Sequence, residues 1–142
     1  MWLDSNNYPQ EYSNYDAVLA VDANSKIQCN AHNAFAQLKQ FKKEINDYIF
    51  GYLSYDLKND TENLTSKNND GLHFPDLNFF QPKKLFLFNG DVLEVQYLEE
   101  YKIEINNDLN SIEQIASSHR ETRNSVKIKK RITKNQYLKQ LD

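Results

Sequence analysis

Cysteine, proline and glycine are scarce in this chain of 142 residues, which has one Cys, three Pro and three Gly. A lone thiol, Cys29, excludes an internal disulfide framework and fits a reducing compartment. So few glycines leave no phosphate-cradling loop, and no nucleophile elbow is present. Long apolar runs are missing too, so the sequence shows neither a signal peptide nor a spanning segment and reads as soluble and cytoplasmic, with no membrane partner. A cationic excess is also missing. The 17 Lys and Arg are outnumbered by 20 Asp and Glu, the net charge is −3, and no nucleic-acid partner is expected.

What is present is aromatic. The apolar share, 39%, is low, but aromatic residues make up 13%. Each large ring buries a large area, so a few of them can build a core. The length suits one domain. Both ends read as cut: Met1-Trp2-Leu3 starts inside an apolar stretch, and Thr133-Lys134-Asn135-Gln136 is a capping-box pattern opening a helix of little more than two turns.

The pattern predicts a strand end at Met1 to Ser5, a loop to Asn14, a strand over Tyr15 to Asp22, a turn at Asp22-Ala23-Asn24-Ser25 and a short strand over Lys26 to Cys29. Asn30 is placed to cap a helix carrying Phe35, Leu38 and Phe41, ending near Lys43. The chain is centred on Ile49 to Asn59. It opens as a buried strand, Asp47 to Ser54, with Gly51 inside it to admit another backbone or a ligand, and Asp56 placed to cap the exit. Asp60 to Gly71 is a polar loop. Lys84 to Phe88 and Val92 to Tyr97 form a hairpin about Asn89-Gly90, read as a type I′ turn. Lys102 to Ile105 reads as a strand, Asn110 and Glu113 as the cap of a helix to Ser118, and Val126 to Ile132 as a basic edge strand. The sum is α+β: a mainly antiparallel β-sheet of about six to eight strands with two or three helices packed on it, the N-terminal half of a larger α/β sandwich.

Chemistry is sparse. Cys29 and His32 have the spacing of half a metal site, and neither His73 nor His119 has a Cys or His neighbour to complete it. Glu99-Glu100 and Asp60/Glu62 are carboxylate pairs in polar stretches that read as solvated. Arg120, Arg123, Lys127, Lys129, Lys130 and Arg131 read as a solvated basic edge. No nucleophile–base pair supports a hydrolase. A binding or regulatory domain is the better class, with no catalytic residue assigned.

Phe50-Gly51-Tyr52-Leu53-Ser54-Tyr55-Asp56-Leu57-Lys58-Asn59 closely resembles a segment in the N-terminal domain of the chorismate-using synthases, which include anthranilate synthase component I and para-aminobenzoate (aminodeoxychorismate) synthase component I. Trp2-Leu3-Asp4-Ser5 resembles that family's Leu-Leu-x-Ser element, and Tyr12-Ser13-Asn14-Tyr15-Asp16 its Tyr-Ser-x-aromatic-Asp stretch. Phe74-Pro75 and Phe79-Phe80-Gln81-Pro82 follow in the family's order. The resemblance implies an aminobenzoate-branch parent that adds ammonia to chorismate, with Mg²⁺ in a C-terminal catalytic domain and a glutamine amidotransferase subunit delivering the ammonia. Residues 1–132 would be the non-catalytic, tryptophan-pocket-type domain, and 133–142 the start of the absent catalytic one. Matched to the motif, the effector-pocket candidates are Leu3, Asp4, Ser5, Tyr12, Ser13 and Tyr15. Asp4 stands where the family commonly has Glu or His, so tryptophan is expected to bind weakly or not at all. The alternatives are the tryptophan-regulated domain of an anthranilate synthase and a stand-alone interaction module.

Overall fold

Phenylalanine and leucine recur on both faces of Leu77–Asn89, so this 13-residue strand is apolar whichever way it is turned. Such a strand belongs in the middle of a sheet. The computed structural model describes residues 1–6, 8, 14–62, 64, 70–118 and 132–139. Its strands are β1 (Trp2–Asp4), β2 (Ala17–Cys29), β3 (Phe50–Leu53), β4 (Leu77–Asn89) and β5 (Val92–Tyr97). Its helices are α1 (Ala34–Ile45), α2 (Lys58–Thr61), α3 (Ile105–Ser118) and α4 (Lys134–Leu138). The class is α+β, and every strand pairing is antiparallel.

The strands form one five-stranded sheet in the order β1-β2-β4-β3, with β5 also on β4. Along one side β4 pairs with the length of β2, from Cys29↔Leu77 to Ala17↔Phe88. The other side is shared: β3 takes Leu77 to Phe80 and β5 takes Lys84 to Asn89. The axis is therefore β4. The Ile49 to Asn59 stretch, read above as the centre, forms an outer strand and its exit.

Several boundaries move for physical reasons. Asp22 to Ser25 is no turn. β2 runs straight through it, with a register shift between Ala23 and Ser25. Pro82 lies opposite Ala23, and a proline cannot donate to the ladder, so a bulge beside it is the expected accommodation. The hairpin loop is Gly90-Asp91, because Asn89 still pairs with Val92. Only Gly90 of these has positive φ, +55°. That is the demand of a type II′ turn, not type I′. Lys102 to Ile105 is not a strand: Glu99–Glu104 is a 3₁₀ helix running into α3, so α3 starts five residues before the predicted Asn110 cap. Val126 to Arg131 lies outside the described residues.

The caps differ as well. Ser54, not Asp56, precedes the 3₁₀ turn Tyr55–Leu57. Asn33, not Asn30, precedes α1, and it makes no side-chain cap. A distant carboxylate does that work. Asp60 Oδ1 accepts the Asn33 N–H at 2.6 Å, and Oδ2 the Phe35 N–H at 3.5 Å. Asp76 fixes the approach: its Oδ2 accepts the Ala31 N–H at 2.9 Å and its Oδ1 the Ser54 hydroxyl at 2.7 Å. Ala34, Leu57 and Leu77 are buried together under this clamp, with Ile27, Cys29, Leu38 and Phe79 against them. Asp60→Ala should therefore cost about 1 kcal/mol of stability, the usual loss of a helix cap. A urea melt with an unchanged midpoint would refute this role.

Met1–Asp108 and Leu109–Asp142 form two compact units. In the second, the predicted capping box is present: Thr133 Oγ1 accepts the Gln136 N–H at 3.3 Å, and Gln136 Oε1 accepts the Thr133 N–H at 2.8 Å.

Candidate functional site

Leu3 and Asp4 lie on the edge strand β1, opposite Val18 and Ala17. Ser5 follows, and its N–H donates to the Asp16 carbonyl at 2.9 Å. The two motif segments, separate in sequence, thus meet at one corner of the sheet. Tyr15 is half-buried there. Tyr12 and Ser13 lie outside the described residues.

Asp16 is the joint of this corner. Besides accepting from Ser5, its N–H donates to the Phe88 carbonyl at 2.8 Å and its Oδ2 accepts the Gly90 N–H at 2.7 Å. It ties β1, β2 and the β4–β5 turn with its own three polar groups. Trp2 packs edge-on against Phe88 with ring centroids 5.4 Å apart.

The corner offers fewer free groups than the sequence suggests. The Ser5 carbonyl accepts the Tyr8 N–H at 2.9 Å, so both its backbone groups are used internally. Asp4 Oδ1 accepts the Asn6 N–H at 2.7 Å, a local turn. Hydrogen-bonded pairs alternate along an antiparallel ladder. Because the Ala20 N–H donates to the Met1 carbonyl at 2.8 Å, Leu3 also faces β2 with its backbone. The outward backbone groups of β1 are those of Trp2 and Asp4, with no described strand on that side. A ligand here would meet those and the Ser5 hydroxyl.

A second cluster was not foreseen. Lys84 Nζ lies 2.6 Å from Asp108 Oδ2 and 2.7 Å from Glu104 Oε2. The Tyr97 hydroxyl donates to the same Asp108 oxygen at 2.9 Å. Lys84 alternates with Phe86 and Phe88 on one face of β4, and it is buried, as are Phe86 and Tyr97. The sequence carries a signal for this: a lysine on an apolar strand face, and Glu104 and Asp108 at helical i, i+4 spacing. Reading Lys102 to Ile105 as a strand hid the second half.

These groups are poor acid–base catalysts. Hydrogen bonds that Lys84 donates to Asp108 and Glu104 raise its pKa, so it keeps its proton. Burial, then the bond to Asp108, pushes Tyr97 up to about 12. Hydrogen bonds from Lys84 and Tyr97 hold Asp108 below the usual carboxylate range. A useful general acid or base titrates near the working pH, and none of these does. Burial, then the nearby Asp60 and Asp76 charges, raises the Cys29 thiol, which stays protonated and unreactive. Asp60, read above as solvated, is the cap of α1. Among the described residues no group of three His, Cys, Asp or Glu is placed to hold a metal ion, and no described helix is long and apolar enough to cross a membrane.

A family model described as chorismate binding enzyme matches residues 1–142. No curated protein and no solved structure matches the chain.

Proposed function

We propose that this chain, which belongs to the chorismate binding enzyme family, serves an aminodeoxychorismate synthase component I-like enzyme as its N-terminal, non-catalytic domain. The observation behind the reading is the corner where Ser5 meets Asp16. It joins the two motif segments at 2.9 Å and presents an outward edge, while Lys84 and Cys29 are both pushed further from neutral titration. In this reading residues 1–132 are a packing and effector domain, and residues 133–142 open the catalytic one. Chorismate and Mg²⁺ are held by residues outside this chain, Mg²⁺ supplying charge neutralisation there, and a glutamine amidotransferase subunit supplies ammonia. The described residues themselves do not fit a metal ion.

Tryptophan binding at the corner is weak or absent in this reading, because both Ser5 backbone groups and one Asp4 carboxylate oxygen are spent on the fold. The test is an amination assay on the protein in its full reading frame, with chorismate, Mg²⁺ and ammonia, and the product identified by chromatography. The 142-residue chain alone should show no turnover. The full protein should release 4-amino-4-deoxychorismate and be unmoved by tryptophan. Turnover by this chain alone, or anthranilate as product with tryptophan inhibition, would overturn the reading.

A further inference from the structure

Between the start of β3 and the end of β5, one side of β4 has no partner strand: Phe80 pairs with Phe50 of β3 and Lys84 with Tyr97 of β5. A pocket of about 140 Å³ opens at this break, and Asp47, Tyr48, Pro82, Lys83, Leu85 and Leu98 contribute to its wall. A cavity of about 150 Å³ is known to hold a benzene-sized body. Along β4 the break lies six residues from Phe88, which at the rise of a strand is about 20 Å from the Ser5–Asp16 corner. The two places are separate.

Two residues of opposite charge contribute to the pocket wall. Asp47 is the anion. Its Oδ2 accepts from Gln81 Nε2 at 3.0 Å and its Oδ1 from the Tyr48 N–H at 2.7 Å. Gln81 is itself only 8% exposed, and its Oε1 accepts from Asn24 Nδ2 at 3.0 Å. A partly buried relay from the β2 bulge thus orients the carboxylate. Lys83 is the cation, with its Nζ 4.5 Å from the centre of the Tyr101 ring. Neither Asp47 nor Lys83 joins an ion pair among the described residues. Pro82, Leu85 and Leu98 supply apolar surface.

A monoanion would meet Lys83 but be repelled by Asp47, and a monocation the reverse. A zwitterion satisfies both, and an apolar body suits the remaining wall. We propose that this pocket is a binding site for a small apolar α-amino acid, its ammonium against Asp47, its carboxylate against Lys83 and its side chain on Pro82, Leu85 and Leu98. Nothing in the proposal depends on the corner or on the reaction of the parent enzyme.

The test is a titration of the whole chain followed by amide NMR and calorimetry. The probes are L-leucine and L-phenylalanine, set against 4-methylpentanoate and 3-methylbutylamine, which each lack one charge of leucine. Saturable shifts at Asp47, Tyr48, Lys83 and Leu85 are expected for the amino acids, with each single-charge analogue weaker by about tenfold or more. Asp47→Asn should weaken leucine by about tenfold and leave 4-methylpentanoate unchanged or tighter, and Lys83→Met should do the mirror image with 3-methylbutylamine. Ser5→Ala should change nothing. If Asp47→Asn fails to fold, Lys83→Met and the analogues decide alone. No saturable binding of either amino acid up to about 10 mM, an affinity too weak to matter, or equal binding of the analogues, overturns the proposal.

Discussion

Gly51→Ala should destabilise the protein more than a methyl group added at either of its other glycines. A Cβ at Gly51 would sit 2.0 Å from the Asn78 carbonyl oxygen and 2.6 Å from both the Phe79 Cα and the Phe79 Cγ. Two of those atoms are backbone in β4, the strand that every other part of the sheet leans on, so they cannot swing aside as a side-chain tip would. Overpacking of a tight site costs about 1–3 kcal/mol and sometimes more. The clash with main chain puts this substitution at about 3 kcal/mol or above, a large share of the roughly 5–15 kcal/mol that holds a domain together. A thermal melt should fall by about 10 °C, or the protein should fail to fold. Gly71→Ala is the matched control. No heavy atom lies within 4 Å of its added Cβ, and an exposed change of that kind stays within about 0.5 kcal/mol. Equal melting temperatures for the two variants would mean that β3 does not approach β4 as described.

The same glycine shows what the sequence could reveal. Its place inside an aromatic strand announces a close approach, and the approach turns out to be the Phe79 backbone. Local signals survived generally: the Thr133 capping box forms with the residues that its spacing names, and the α+β class follows from the alternating stretches. Errors arose where a distant partner overrides local preference. Asp22-Ala23-Asn24-Ser25 has the composition of a turn, yet β4 pairs along its length and Pro82 converts it into a bulge. Asn30 looks like a cap, but Asp60 caps α1 from 27 residues beyond Asn33. The corner was half legible. The motif brought Ser5 and Tyr15–Asp16 to attention, while the joint role of Asp16 depends on Phe88 and Gly90, which no local pattern connects to it.

Lys84→Met should be costly too, and its cost should depend on pH. Methionine keeps the apolar stem but leaves Asp108 and Glu104 facing each other without their shared cation. Breaking a buried pair costs about 3–5 kcal/mol, but the partner side chains are 32% and 45% exposed. Solvent screens part of the loss, leaving about 2 kcal/mol. In the wild type, Asp108 titrates below its ordinary 3.8 because Lys84 and Tyr97 hydrogen-bond its charged form. Its stabilisation is therefore complete above that ordinary value and is lost as pH falls through the lower folded value. Lys84 is raised above 10.5, and Tyr97 from 10.0 to about 12, so their contributions hold below those ordinary values and fade as pH rises through the folded ones. Urea melts across pH should give a plateau from about 4 to 10 with both flanks falling. In Lys84→Met the plateau should drop, and the acid flank should become shallower, because the main cause of the Asp108 shift is gone. Lys58→Met removes an exposed partner of Asp56, 28% and 55% exposed, and should cost about 0.5 kcal/mol or less. An acid flank as steep in Lys84→Met as in the wild type would show that something other than this cation holds the Asp108 carboxyl low.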